Sequence, residues 1–236
     1  LLFVTLLFGV SKGNASRWIM GFQPSDFAKL VLILYVSRVL TNKQDEIKDF
    51  RKGLIPILWP IILICGLILP ADFSTAAILL IVCFTMMFVG GAKIKHLGSI
   101  IGAALIGFLF LILINIAFPG FLPRVNTWEK RILSYGSGNK QENYQAEMAK
   151  RAVANGFLFG KGPGKGHVKN DLYSAQSDFI YASSIEEFGS IIGGIGLLIL
   201  YMILFFRAIR IMNKVESKFA ANLVFGLSFM LIFQSF

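Results

Sequence analysis

The sequence predicts an all-α polytopic membrane protein with one large polar insert. Three observations carry that prediction. Mean hydropathy is +0.70. Charged residues make up 15% of the 236-residue chain, against roughly 25% in soluble domains. The charges are also clumped, which leaves uncharged runs long enough to cross a bilayer. The length suits one membrane domain over 1–236 rather than several soluble ones. A net charge of +10 is accounted for by loop topology and anionic lipid. No nucleic-acid motif is present, and nucleic acid is not expected as a partner.

Leu1 to Val10 is uncharged but too short to span, and Phe219 to Phe236 stays apolar to the last residue. The chain is therefore expected to be a piece of a longer protein, incomplete at both ends. Ser11 to Trp18 is a Gly/Asn/Ser turn with Lys12 and Arg17, and Trp18 suits a membrane interface. Pro24 or Ser25 opens a helix with Asp26 in its first turn. Asp26 and Lys29 share a face, either as a surface pair or as an inward pair that holds an anionic ligand. Arg38 to Lys52 is a polar loop. Leu54 to Ala71, Phe73 to Ala92 and Leu97 to Leu122 are uncharged spans, and Pro70 to Thr75 is a tight turn between the first two.

Charge sorts the loops. Segments 38–52, 93–96 and 207–218 carry five, two and four Lys/Arg, whereas 11–17 and 70–72 together carry two. The positive-inside rule makes the first set cytoplasmic. Segment 123–177 then becomes a large extracytoplasmic loop, with nine Lys/Arg against four acids. Within it, the run from Gly156 to Gly166 looks like a phosphate loop. It fails as one, because three residues rather than four separate Gly160 from Gly164-Lys165 and no Ser/Thr follows. A flexible basic loop that meets a pyrophosphate or headgroup and a plain turn cluster both fit.

The segment closes on Ser174 to Gly189, where an apolar run begins that reaches Phe206. Asp178, Glu186 and Glu187 thus stand where water gives way to lipid, and ionisable groups at such depth are usually paired or functional. A solvated helix start, with acids favoured by the helix dipole, is the plainer alternative. Cys65 and Cys83 lie in apolar runs as small hydrophobes, and the isolated His96 and His167 are expected in solvated loops. No Cys/His spacing suggests a metal site. Outer-facing acids (Asp26, Asp72, Asp178, Glu186, Glu187) with cations (Arg17, Lys29, Arg124, Arg131) suit an anionic, lipid-linked substrate or an ion-coupled transporter.

Four motifs, in order, carry a resemblance. They are Asn14 to Trp18 followed by Gln23-Pro24-Ser25-Asp26 and Lys29, and then Pro70-Ala71-Asp72 with Thr75. Next come Tyr144-Gln145 with Gly156 to Gly160, and last Ser177-Asp178-Phe179 with Glu186-Glu187-Phe188-Gly189. Together they resemble the SEDS family of bacterial cell-wall polymerases (FtsW, RodA, SpoVE), over nearly the whole chain and closer to its cell-division branch, FtsW, than to RodA. The resemblance implies a bundle of about ten helices, of which this chain would hold roughly the third to the ninth. Three positions depart from the family: Asp26 replaces a Glu, Leu69-Pro70 replaces Gln-Pro, and Tyr173 to Gln176 lacks the family's His.

The implied activity is a peptidoglycan glycosyltransferase that polymerises lipid II at the outer face of the bacterial cytoplasmic membrane and releases undecaprenyl pyrophosphate. Asp178 would be its catalytic base. Arg17, Lys29, Arg124 and Arg131 would bind substrate, with Asp26 orienting Lys29. Glu186, Glu187 and Asp72 would stand behind them. A divalent cation (Mg or Mn) fits the chemistry. A class B penicillin-binding protein and other divisome proteins are the implied partners. A lipid-linked precursor flippase or a non-enzymatic divisome scaffold is the alternative.

Overall fold

The computed structural model describes residues 2, 5, 10–12, 15–18, 23–69, 72–117, 140–166 and 179–235. At 10–12, 15–18, 105, 108, 110–117 and 140–143 only the backbone is described. Helices dominate. The exception among the described residues is an antiparallel hairpin of β1 (Val10–Lys12) and β2 (Ala15–Trp18), which pairs Lys12 with Ala15 around the expected turn. The helices are α1 (Pro24–Asn42), α2 (Ile55–Ile68, entered through a π turn at Phe50–Leu54), α3 (Phe73–Val89), α4 (Ile94–Ala117), α5 (Lys140–Gly156), α6 (Ile180–Gly189), α7 (Leu197–Lys214, joined to α6 by a π segment at Ser190–Gly196) and α8 (Lys218–Ser235). The stretches Phe50–Ile68, Ile180–Lys214 and Lys218–Ser235 are long and apolar enough to cross a membrane, and Phe73–Val89 is a shorter apolar helix.

The chain divides into two compact units, 1–114 with 205–236, and 115–204. In the first, α1 packs on α2, α3 and α8, and α3 also packs on α2 and α8. The apolar faces meet through Ile33, Val36, Ile57, Ile61, Leu79, Met86 and Phe225, while Leu34, Trp59 and Ile62 point outward. Cys65 and Cys83 are free and lie in this core. Gly226 lets α8 approach closely, because a Cβ there would meet Met86 Sδ and Ile33 Cγ2 at 2.6 and 2.7 Å. Small residues serve that purpose where lipid supplies no hydrophobic drive between helices.

Pro60 sits inside α2 and has no N–H to give the carbonyl of Pro56. The Tyr35 hydroxyl of α1 donates to that carbonyl at 3.2 Å, so a neighbouring helix satisfies the freed group. At the start of α3, the Asp72 carboxylate accepts the Thr75 N–H at 3.1 Å, which caps the helix.

The three basic loops of this unit come to one end, as their charge predicted. The Arg38 guanidinium lies 5.8 Å from the centre of the Phe219 ring. Phe50 and His96 pack edge to face at 5.4 Å, and Gly91 lies against Ile47. His96 is therefore half-buried against an aromatic ring instead of standing in a solvated loop. The loop expected from Arg38 is also shorter than predicted: α1 runs on to Asn42, and Thr41 returns its hydroxyl to the Ser37 carbonyl.

The second unit holds α5, the loop 157–166, α6 and the π segment. Helix α5 folds within the predicted extracytoplasmic stretch 123–177. Ala152 of α5 and Ala182 of α6 are buried against Met148, Ala149 and Phe179, and this small-residue seam brings the two helices together.

Candidate active site

The second unit is built around a break in a helix. Gly189 ends α6 with φ +80° and ψ 168°, a conformation open essentially to glycine alone. The break releases backbone groups on both sides, and buried backbone groups need partners. Loop 157–162 supplies them. Lys161 N–H donates to the Glu186 carbonyl and Gly162 N–H to that of Glu187, each at 2.9 Å. In return, Ser190 N–H donates to the Phe157 carbonyl at 2.8 Å and Ile191 N–H to that of Leu158 at 3.4 Å.

Such backbone-to-backbone proximity leaves no room for side chains at the crossing. A Cβ on Gly156 would strike the Ile185 carbonyl, one on Gly160 the Glu187 carbonyl, and one on Gly189 the Leu158 carbonyl. Gly160, Gly162 and Gly164 also have φ of +75°, +102° and +77°, values that favour glycine. The glycine run thus lies on α6 as a clamp.

Two carboxylates lock it. The Glu186 side chain is 0% exposed and its Oε1 lies 3.3 Å from Lys161 Nζ. Glu187 Oε2 accepts the Gly164 N–H at 3.0 Å. Burying a charged group is costly unless it is paired and hydrogen-bonded, so Glu186 ties its segment to the loop. Lys161 was not singled out by the sequence. Its partner lies 25 positions away, and only the spacing of Gly156, Gly160 and Gly189 hints at a close crossing.

In the first unit, Lys29 Nζ bonds Asp26 Oδ1 at 2.7 Å. Lys29 is 5% exposed although it is a lysine on an apolar helix, whereas the Asp26 side chain is 56% exposed. The pair thus sets a buried ammonium behind an outward carboxylate. Asp72 serves as the cap of α3. Arg17 belongs to β2, where the backbone alone is described. Asp178, Arg124 and Arg131 lie outside the described residues, as does His167. Among the described residues, no three His, Cys, Asp or Glu side chains stand together as a metal site.

A family model described as "Cell cycle protein", covering FtsW, RodA and SpoVE, matches residues 1–236. The chain belongs to the FtsW/RodA/SpoVE family. It is 32% identical to the probable peptidoglycan glycosyltransferase FtsW of Haemophilus ducreyi, across 97% of this chain and 58% of that protein. It is 34% identical to the stage V sporulation protein E of Bacillus subtilis, across 96% of this chain and 61% of that protein. It therefore spans about three-fifths of the length of these relatives. A solved chain from work on a peptidoglycan synthase complex shares the fold, with a TM-score of 0.67 at 23% identity, over 99% of this chain and 64% of that one. Membership of this family, together with the apolar helices, makes this a membrane protein.

Proposed function

We propose that the chain is the central part of a peptidoglycan glycosyltransferase that polymerises lipid II at the outer face of the bacterial cytoplasmic membrane. The observation that carries this reading is the family match over all 236 residues, with relatives named as probable peptidoglycan glycosyltransferases. In the reaction, the 4-hydroxyl of an acceptor sugar attacks the anomeric carbon of a donor, and undecaprenyl pyrophosphate departs. The hydroxyl is a weak nucleophile and needs a general base. Asp178, two residues before α6, takes its proton. The departing pyrophosphate gathers negative charge, which fixed cations stabilise. Lys29, oriented by Asp26, supplies one, and Arg17, Arg124 and Arg131 supply others. Glu186 and Glu187 hold loop 157–166 against α6, the helix that follows the base in sequence. A divalent cation would add charge stabilisation of the same kind. A class B penicillin-binding protein and other divisome proteins are the partners proposed, and cell division is the proposed setting.

The flippase reading draws on the broken helix at Gly189, a device that transporters use to bind cargo. Here loop 157–162 already takes the Glu186 and Glu187 carbonyls and the Ser190 and Ile191 amides, which favours a structural use of the break. The test is strand synthesis from labelled lipid II by the full-length protein with its penicillin-binding partner. Wild type is expected to make glycan strands, and Asp178→Asn, folded and still partner-bound, none. Equal strands from both would remove Asp178 from the chemistry. Strands from neither would favour the transporter or scaffold.

A further inference from the structure

We infer that the turn Phe157-Leu158-Phe159 is a membrane anchor, seated at the acyl–headgroup boundary of the outer leaflet. Phe157 is 74% and Phe159 80% exposed, with Leu158 between them at 47%. Three adjacent apolar side chains so exposed, beside a polar helix and a glycine loop, call for an occupant. Phe157 also has φ +43°, a backbone region that bulky residues rarely enter. Glycine would adopt it without strain, and the chain places a phenylalanine there.

The depth of the turn follows from its hydrogen bonds. Its carbonyls accept the N–H groups of Ser190 and Ile191, which lie within the stretch Ile180–Lys214 that is long and apolar enough to cross a membrane. Between the last acid, Glu187, and the first base, Arg207, run nineteen uncharged residues, 188–206. Counted at the α-helical 1.5 Å per residue they measure about 28 Å, and somewhat less with the π segment Ser190–Gly196 among them, close to the roughly 30 Å of a hydrocarbon core. Ser190 and Ile191 then stand just inside its outer edge, and the turn bonded to them stands at the same height. Ile191, Ile192 and Ile195, on the segment to which the turn is hydrogen-bonded, are exposed as well, an apolar surface that lipid tails suit. Exposed Arg151 and Lys165 lie in sequence on either side of the turn, where anionic headgroups attract them. Residues 156–160 thus form a shallow dip into the leaflet, permitted there because the helix break satisfies their backbone.

The test places a nitroxide on Phe159→Cys in the full-length protein, with Cys65→Ala, Cys83→Ala and the replacement of any further native cysteine. The protein is reconstituted in phosphatidylglycerol/phosphatidylethanolamine vesicles free of lipid-linked precursor. Accessibility to oxygen and to a water-soluble nickel chelate is compared with a label at Lys150→Cys. The oxygen-to-nickel ratio is expected to be several-fold higher at 159 than at 150. A ratio equal to that at 150 would overturn the anchor, since the turn would then be in water. Exclusion of both reagents would overturn it in favour of a protein partner. A ratio that rises only when precursor is added would overturn it in favour of the substrate's own tail. Leu158→Cys gives the same readout if Phe159→Cys fails to fold.

Discussion

The two units are held by different means. In the first, helices meet through interlocking side chains: Ile33, Leu79 and Met86 are at most 1% exposed, and Gly226 merely lets α8 come near. In the second, backbone meets backbone across the break at Gly189, glycines make room, and the Lys161–Glu186 pair fastens the crossing. The difference has consequences. Side-chain packing degrades by degrees when atoms are removed. A backbone crossing has no slack, because its polar groups are matched one to one and a single Cβ separates them. The motif that carries the proposed base, Ser177-Asp178-Phe179, runs into the second kind of structure. A reacting group needs tight placement, since a small displacement costs much of the rate.

Two substitutions sharpen that contrast. Ile33→Ala empties part of the first unit's core. The side chain leaves lipid-like surroundings in either state, so the cavity dominates and the loss is about 2 kcal/mol, read by thermal unfolding in detergent. Lipid II polymerisation by the protein that remains folded is expected to stay near wild type. Lys161→Met differs in its effect on activity. Its head is one-third exposed, but the Glu186 carboxylate it pairs with is fully buried, so the stability lost is of the same order, roughly 2 kcal/mol. Polymerisation should fall several-fold, because the loop beside α6 loosens. Equal activity losses in the two variants would break the contrast.

Much of the first unit was legible in the sequence, because its signals are local. Uncharged runs marked α2, α3, α4 and α8, and the three-residue spacing of Asp26 and Lys29 marked their pair, whereas the Asp72 cap lay in a stretch read only as a tight turn. The sorting of Lys and Arg put the loops at 38–52, 93–96 and 207–218 on one side, and Arg38 on Phe219 and Phe50 on His96 join them there. The hairpin at 10–18 and the π turn at Phe50 were missed. In the latter, the Asp49 side chain takes the Arg51 N–H and its carbonyl the Gly53 N–H, a local choice that no hydrophobic period announces. The clamp was missed for a different reason. Glycines 156 to 166 read equally as a basic loop that meets a pyrophosphate or headgroup and as a plain turn cluster, because their partners, 185–191, are distant in sequence and are met through backbone atoms that every residue shares. Composition reveals that a glycine is there, not what it lies against.

Gly160 and Gly164 provide the most direct measurement. Their φ angles are nearly equal, +75° and +77°, so alanine must take a left-handed φ at both. A Cβ at 160 collides with the Glu187 carbonyl, whereas one at 164 meets nothing within 4 Å. Glycan-strand synthesis from lipid II is compared for Gly160→Ala and Gly164→Ala in the full-length protein, at matched amounts of folded material. If close apposition of loop and α6 supports the chemistry, Gly160→Ala abolishes most synthesis and Gly164→Ala retains most of it. Equal activity in the two variants would contradict the account.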